Sequence, residues 1–229
     1  MKCGIVGLPN VGKSTLFTAL SRTEVEAANY PFCTIEPNVG IVPVPDPRLD
    51  KIAQITNSAK IIPAAMEFVD IAGLVAGAAT GEGLGNKFLA NIRETQAILH
   101  VVRCFVDENV THVSGQVDPL ADISVIDTEL QLADLEALDK AQKRLQKELK
   151  AGGKDIKSKL EIVAQMHELL DDGQSLHPFV AELDEDMQKF VHSLQLLMTK
   201  PVLFIANVDE SGGGAHLQAL EDYADSIGA

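Results

Sequence analysis

The sequence predicts an α/β domain with a mostly parallel, doubly wound sheet, into which an α-helical hairpin of coiled-coil character is inserted. Three observations carry this reading. Short runs of Val, Ile and Ala alternate with amphipathic stretches up to about residue 122 and resume near residue 200. Aromatic residues make up only 4% of the chain and Trp is absent, so aliphatic side chains must build the interior, as they do in a buried parallel sheet. From about Ile123 to Met198 no run reads as a strand, and apolar residues recur at steps of three and four.

In chain order, Cys3-Gly4-Ile5-Val6-Gly7 predicts a short buried strand and residues 13–22 a helix with Leu16, Phe17, Ala19 and Leu20 on its apolar side. Residues 23–37 lack periodicity, contain Pro31 and Pro37, and read as a loop. Val39 to Val44 is strand-like, and Pro43 and Pro45 suit a sheet edge or a strand end. Met66 to Val69 is a strand ending at Asp70. Gly73, Gly77, Gly81, Gly83 and Gly85 mark 73–85 as a loop, Lys87 to Gln96 is a helix, and Ala97 to Cys104 and Pro201 to Ala206 are strands.

The insert carries an apolar stripe through Ile126, Leu130, Ala133, Ala137, Ala141, Leu145 and Leu149. Ala151-Gly152-Gly153 breaks it. Ile156, Leu160, Val163, His167 and Leu170 resume it, and Met187, Phe190, Leu194 and Leu197 form a third stripe. The expected organisation is a nucleotide-binding domain of residues 1–122 and 200–229, with 123–199 as the inserted helical domain.

At 229 residues the chain is long enough for one good core with an insertion. A net charge of −14 excludes a uniformly basic nucleic-acid binder, and no DNA partner is expected. The charge is polarised, however. Lys140, Lys143, Arg144, Lys147, Lys150, Lys154, Lys157 and Lys159 are opposed only by Glu148 and Asp155. A basic tip on an acidic body suits an RNA contact, and a solvated hairpin end is the plainer reading of the same residues. The 3 cysteines, Cys3, Cys33 and Cys104, are scattered without metal-ligand spacing, which predicts reduced thiols. No apolar run is long enough to span a bilayer, and the start of the chain lacks the features of a signal peptide, so a cytoplasmic protein is expected.

Gly7-Leu8-Pro9-Asn10-Val11-Gly12-Lys13-Ser14 matches GxxxxGK[ST] between a predicted strand and a predicted helix, the context that gives the motif its meaning. Glycines at both ends let the backbone turn its N–H groups toward phosphate oxygens, and the helix start adds the positive end of its dipole. Lys13 would place a charge on the β- and γ-phosphates, and the Ser14 hydroxyl would bind Mg²⁺. Asp70-Ile71-Ala72-Gly73 is DxxG at a strand end. Asp70 would hold water of the Mg²⁺ shell, and the Gly73 N–H would meet the γ-phosphate. Thr34, between the first helix and the second strand, stands where Ras-like switches place a second Mg²⁺ ligand. The fold class is therefore a Ras-like P-loop domain.

Ras-like GTPases read guanine with Asn-Lys-x-Asp after a late strand. Here the strand ends in Asn207-Val208-Asp209-Glu210. Val208 replaces the Lys that covers the base, and Glu210 replaces the Asp that accepts from guanine. A displaced carboxylate loses the guanine fork and relieves a clash with adenine N1, so ATP is expected over GTP.

GLPNVGKST (7–15), NYPFCTIEPNVGIVPVPDPRL (29–49), EFVDIAGLVAGAATGEGLGNKFL (67–89), HVVRCF (100–105), HVSG (112–115) and the NVDE element resemble, nearly end to end, the Obg-like ATPases of the YchF group. The resemblance implies a Ras-like domain interrupted by a coiled-coil arm, ATP preferred over GTP, and ribosome association. It also implies phosphate contacts from Asn10 to Thr15, Mg²⁺ at Ser14 and Thr34, and adenine contacts at Asn207 and Val208. Members of the group continue into a base loop and a C-terminal TGS domain, so this chain, ending at Ala229, reads as truncated.

The reaction expected is hydrolysis of the γ-phosphate by in-line water, with catalysis by positioning and charge neutralisation. Where Ras-like enzymes place a water-orienting Gln directly after DxxG, this chain has Leu74. His112 is one candidate replacement, favoured by the resemblance. A K⁺ ion held in part by Asn10 is the other. A GTPase of the same fold, and an RNA- or ribosome-binding module that nucleotide merely orders, are the rival functions.

Overall fold

The computed structural model describes residues 1–21, 38–71, 84–107, 109–113, 115–150, 156–210 and 212–229. β1 (Lys2–Val6), β2 (Val39–Pro43), β3 (Ala65–Asp70), β4 (Ala97–Arg103) and β5 (Val202–Asn207) form one five-stranded sheet in the order β2-β3-β1-β4-β5. β1 is parallel to β3 and β4, and β4 to β5, while β2 is antiparallel to β3. β4 lies between β1 and β5 and every one of its residues is buried, which is why Ala-Ile-Leu-His-Val-Val-Arg is nearly continuous in apolar residues instead of alternating. β2 lies at the edge, where Pro43, which has no N–H to give a ladder, is tolerated.

This strand order decides where a ligand can sit. The chain leaves β1 on one side toward β3 and on the other toward β4, so β1 marks the point where the winding reverses. In open parallel sheets the binding crevice lies beyond the carboxyl ends of the strands at that point. The residues there are the Gly-rich turn after β1, Asp70 at the end of β3, Arg103 at the end of β4 and Asn207 at the end of β5.

The helices are α1 (Lys13–Ser21), α2 (Arg48–Thr56), α3 (Leu84–Arg93), α4 (Pro119–Lys150), α5 (Ile156–Asp171), α6 (His177–Glu182), α7 (Glu185–Ser193) and α8 (Gly214–Ile227). α3 was expected at 87–96 and begins earlier, taking in Gly85 from the expected glycine loop. It ends at Arg93 because the next residues already pair with the sheet: the Gln96 N–H donates to the Lys2 carbonyl at 2.8 Å, and the Lys2 N–H to Gln96 Oε1 at 2.8 Å. Residues 72–83 lie outside the described residues. α2 and α8 were not anticipated. α2 buries none of its residues, and Ile52 and Ile55 are exposed, so it lacks a core-facing stripe.

The described residues fall into two compact units, one within Met1–Gly73, Glu94–Leu120 and Val202–Ala229, the other within Leu74–Arg93 and Ala121–Pro201. The first holds the sheet. In the second, Leu138 and Leu145 of α4 pack with Ile156, Ile162, Val163, Met166 and Leu170 of α5, and with Leu176, Val191 and Leu196. Of the predicted stripes, Leu145, Ile156, Val163 and Leu170 lie in this core and Ala137, Leu149, Leu160, Met187, Phe190 and Leu194 pack against it; Leu138, outside the predicted stripe, is in it, and His167 is not. Its side chain is partly exposed, and Nε2 lies 3.4 Å from Asp139 Oδ1.

Asp134 of α4 is fully buried in this unit. Its Oδ1 accepts the Leu197 N–H at 2.9 Å and its Oδ2 the Met198 N–H at 2.8 Å, so the carboxylate ties the long helix to the segment leading back to β5. Burial pushes Asp134 up to about 6, against the downward pull of these two bonds and of Arg93 and Lys200. At the basic tip, Lys140 lies 3.4 Å from Glu136 and Arg144 lies 3.8 Å from Glu148, exposed pairs that contribute little to stability.

Candidate phosphate-binding site

The turn between β1 and α1 has backbone conformations that explain its glycines. Gly7 has φ +149°, and a Cβ there would lie 2.4 Å from the Val101 carbonyl oxygen. Gly12 has φ +101°, and a Cβ there would lie 2.4 Å from Asn207 Nδ2. Either substitution meets both strain and collision. Asn10 adopts φ +64°, a left-handed conformation that asparagine tolerates better than most residues. α1 starts directly after this turn, so its first N–H groups, which no helical carbonyl can satisfy, open onto the same place.

Lys13 is buried, and its Nζ donates to the Leu8 carbonyl at 2.8 Å, so the ammonium lies across its own loop. Burial lowers its pKa, and the Asp70 carboxylate acts in the opposite direction. The Ser14 hydroxyl donates to Asp70 Oδ2 at 3.2 Å. The other oxygen, Asp70 Oδ1, is buried and accepts no hydrogen bond among the described residues. A hydroxyl beside a carboxylate with an orphaned buried oxygen is a donor set of the hard, all-oxygen kind that suits Mg²⁺, held directly and through its waters.

Other segments close on the turn. Asn207 Nδ2 donates to the Val11 carbonyl at 2.9 Å, and the Asn207 carbonyl accepts the Cys104 N–H at 2.8 Å. The end of β5 is thus tied to both the phosphate loop and β4. Beyond it, Val208 and Glu210 are exposed, and Val208 packs so closely on Gly213 that a Cβ there would lie 2.6 Å from its Cγ1. On the opposite side Asn10 Nδ2 donates to the Thr111 carbonyl at 3.1 Å. His112, the next residue, is buried, and its carbonyl accepts the Gly115 N–H at 3.1 Å.

Asn10 to Ser14, Asp70, Thr111-His112 and Asn207 thus belong to one interconnected region. Thr15 is exposed on α1. Thr34, Gly73 and Leu74 lie outside the described residues. Two residues beneath the site were not singled out from the sequence. His100 is buried in β4 with its ring 5.4 Å from that of Phe204, and burial first, then the Lys13 charge, lowers it to about 4. It is therefore neutral near pH 7 and adds no charge below the loop. Arg103, also in β4, is wholly buried. The available signal was a basic residue at the end of a strand whose other residues, His100 apart, are apolar.

Cys3 and Cys104 are buried and form no disulfide among the described residues, whereas Cys33 lies outside them. Among the described residues no helix is long and apolar enough to cross a membrane.

The family model described as 50S ribosome-binding GTPase matches residues 2–208. The ribosome-binding ATPase YchF of Pasteurella multocida is 54% identical over 230 residues, covering 100% of this chain and 63% of that protein. The protein of the same name from Bacillus subtilis is 49% identical over 229 residues, covering 98% of this chain and 62% of its own length. The solved structure of the Schizosaccharomyces pombe YchF GTPase superposes with a TM-score of 0.78 at 35% identity, covering 99% of this chain and 62% of that one. The chain thus spans a little over three fifths of the relatives it matches.

Proposed function

Because this chain belongs to the 50S ribosome-binding GTPase family and is similar along its whole length to the YchF proteins, we propose that it is a Mg²⁺-dependent, ATP-hydrolysing switch that works at the ribosome. The observation that carries the reading is the turn of Gly7, Asn10 and Gly12 over a buried Lys13, with Ser14 and Asp70 joined beside it. Main-chain N–H groups and Lys13 would bind the β- and γ-phosphates, and Ser14, Thr34 and Asp70 would hold the metal. Mg²⁺ there neutralises phosphate charge. The Gly73 N–H would meet the γ-phosphate. His112 would orient the attacking water, because Leu74 cannot. A K⁺ ion near Asn10 is the alternative source of that help. Residues 123–199 would act as an arm inserted into the domain of 1–122 and 200–229.

The preference for ATP rests on Val208 and Glu210, which lack the lysine stem and the guanine-reading aspartate, while Asn207 stays anchored to the phosphate loop. The relatives are named differently on this point, ATPase for the bacterial proteins and GTPase for the yeast structure. Displacement of a fluorescent nucleotide decides it. ATP is expected to compete at least about tenfold better than GTP, the scale of one lost recognition element. Equal competition, or a preference for GTP, would leave a GTPase.

The tip between Lys140 and Lys159 supports the ribosome reading, since its cations face an otherwise acidic chain. Reversing Lys143, Arg144 and Lys147 together to Glu is expected to weaken ribosome binding and flatten its salt dependence. Binding and salt slope both unchanged would reduce the tip to a solvated helix end.

A further inference from the structure

We infer that Arg103 is the positioning residue of the catalytic loop: its buried guanidinium holds the carbonyls of Phe105, Asp107 and Val110, so that Thr111 caps Asn10 and His112 is presented to the phosphate site. The inference rests on the reading of His112 given above.

Arg103 is 1% exposed, and among the described residues each of its hydrogen bonds ends on a main-chain carbonyl. Nε donates to Phe105 at 3.0 Å, Nη1 to Val110 at 3.0 Å and Nη2 to Asp107 at 3.2 Å. The guanidinium carbon lies 4.6 Å from the centre of the Phe105 ring. A charge taken out of water is costly unless its donors are satisfied, and an apolar side chain at this strand position would carry no such cost. What the arginine provides instead is a rigid, planar template with donors aimed in several directions, which a lysine cannot reproduce. The segment cannot lift away without stranding a buried cation, so its backbone is locked by the penalty of leaving. Asp107 reinforces the turn by accepting from the Asn109 N–H at 2.8 Å.

The position of Arg103 shows what the lock serves. It is paired in register with Asn207, which bonds to Val11 of the phosphate loop. The last carbonyl it holds is Val110, and the next, Thr111, accepts from Asn10. His112 follows at once. One side chain at the end of β4 therefore sets the distance between the phosphate loop and the segment bearing the candidate catalytic group.

The test is a double-mutant cycle on the full chain, with R103K, H112A and the double variant, reading ATP turnover and, separately, affinity for a non-hydrolysable ATP analogue. R103K is expected to lower kcat about tenfold, and Arg103→Met about a hundredfold, because small misplacements of a catalytic group cost on that scale. Analogue affinity should stay within about twofold, as the effect lies in positioning and not in binding. On the H112A background, R103K should slow hydrolysis no further. Additive losses would mean that Arg103 is merely structural and would overturn the inference while leaving the ATPase reading intact. No effect of H112A alone would remove both the histidine proposal and this inference. R103K serves if Arg103→Met fails to fold, and hydrogen exchange gives a second measure: amides of 105–113 should exchange faster in R103K, with β1 and β4 unchanged. Equal protection throughout would contradict the proposal.

Discussion

Replacing Lys13 with Ala is expected to lower kcat for ATP by about 10² to 10³, the scale on which removal of one preorganised charge-stabilising donor acts. The ammonium donates to the Leu8 carbonyl, inside the loop it would serve. On the function proposed above, nucleotide would exchange that carbonyl for phosphate oxygens, and the exchange would be most favourable as the γ-phosphate gathers charge in the transition state. The loss should accordingly be larger in kcat than in nucleotide affinity, and larger for ATP affinity than for ADP affinity. Lys13→Arg is not expected to rescue, because a planar guanidinium does not fit a slot shaped for a point charge. The melting temperature of the variant separates this loss from misfolding, since burial disfavours the Lys13 charge while Asp70 favours it. Turnover within about threefold of the parent would deny Lys13 its role.

The second large effect belongs to stability. Asp134→Ala should destabilise the chain by about 2 to 4 kcal/mol, since it leaves the buried N–H groups of Leu197 and Met198 without acceptors. Asp134→Asn should fall between, because one of its two amide ends would face an N–H as a donor. The pH dependence has a definite sign. The folded-state pKa is raised from 3.8 to about 6, so between these values the folded chain binds more protons than the unfolded one. Stability contributed by this group therefore falls as pH rises from about 4 to about 6 and is level above that. Urea melts at pH 4, 5 and 7 should show this slope in the parent and not in Asp134→Ala. The same slope in both would exclude Asp134 as its source.

Much of this molecule was legible because local chemistry and topology agree. The phosphate loop could be read from Gly7 to Ser14, since only glycine suits the backbone at Gly7 and Gly12, where a Cβ would collide with Val101 and Asn207. The buried strand from Ala97 could be read from its unbroken apolar run, and β2 could be placed at an edge from Pro43. The apolar stripes of α4 and α5 gave their packing, apart from His167, whose spacing fits the stripe while its polarity keeps it partly exposed beside Asp139. α2 was missed although Leu49, Ile52 and Ala53 stand at helical spacing; none of them is buried, so the spacing marks no core-facing side. Arg103 and Asp134 were missed for a different reason. Each is a charged residue whose partners are main-chain groups, Phe105, Asp107 and Val110 for one and Leu197 and Met198 for the other. Main-chain partners leave no trace in side-chain spacing.

The most direct test of the central claim observes the backbone itself. Amide chemical shifts should be followed while Mg²⁺-ATP is titrated into isotopically labelled chain. The amides of residues 10–15 are expected to move most and to saturate together, as N–H groups trade solvent for phosphate oxygens, with saturation in Lys13→Ala requiring more nucleotide. Saturable shifts confined to other regions, with residues 10–15 unmoved, would contradict the account.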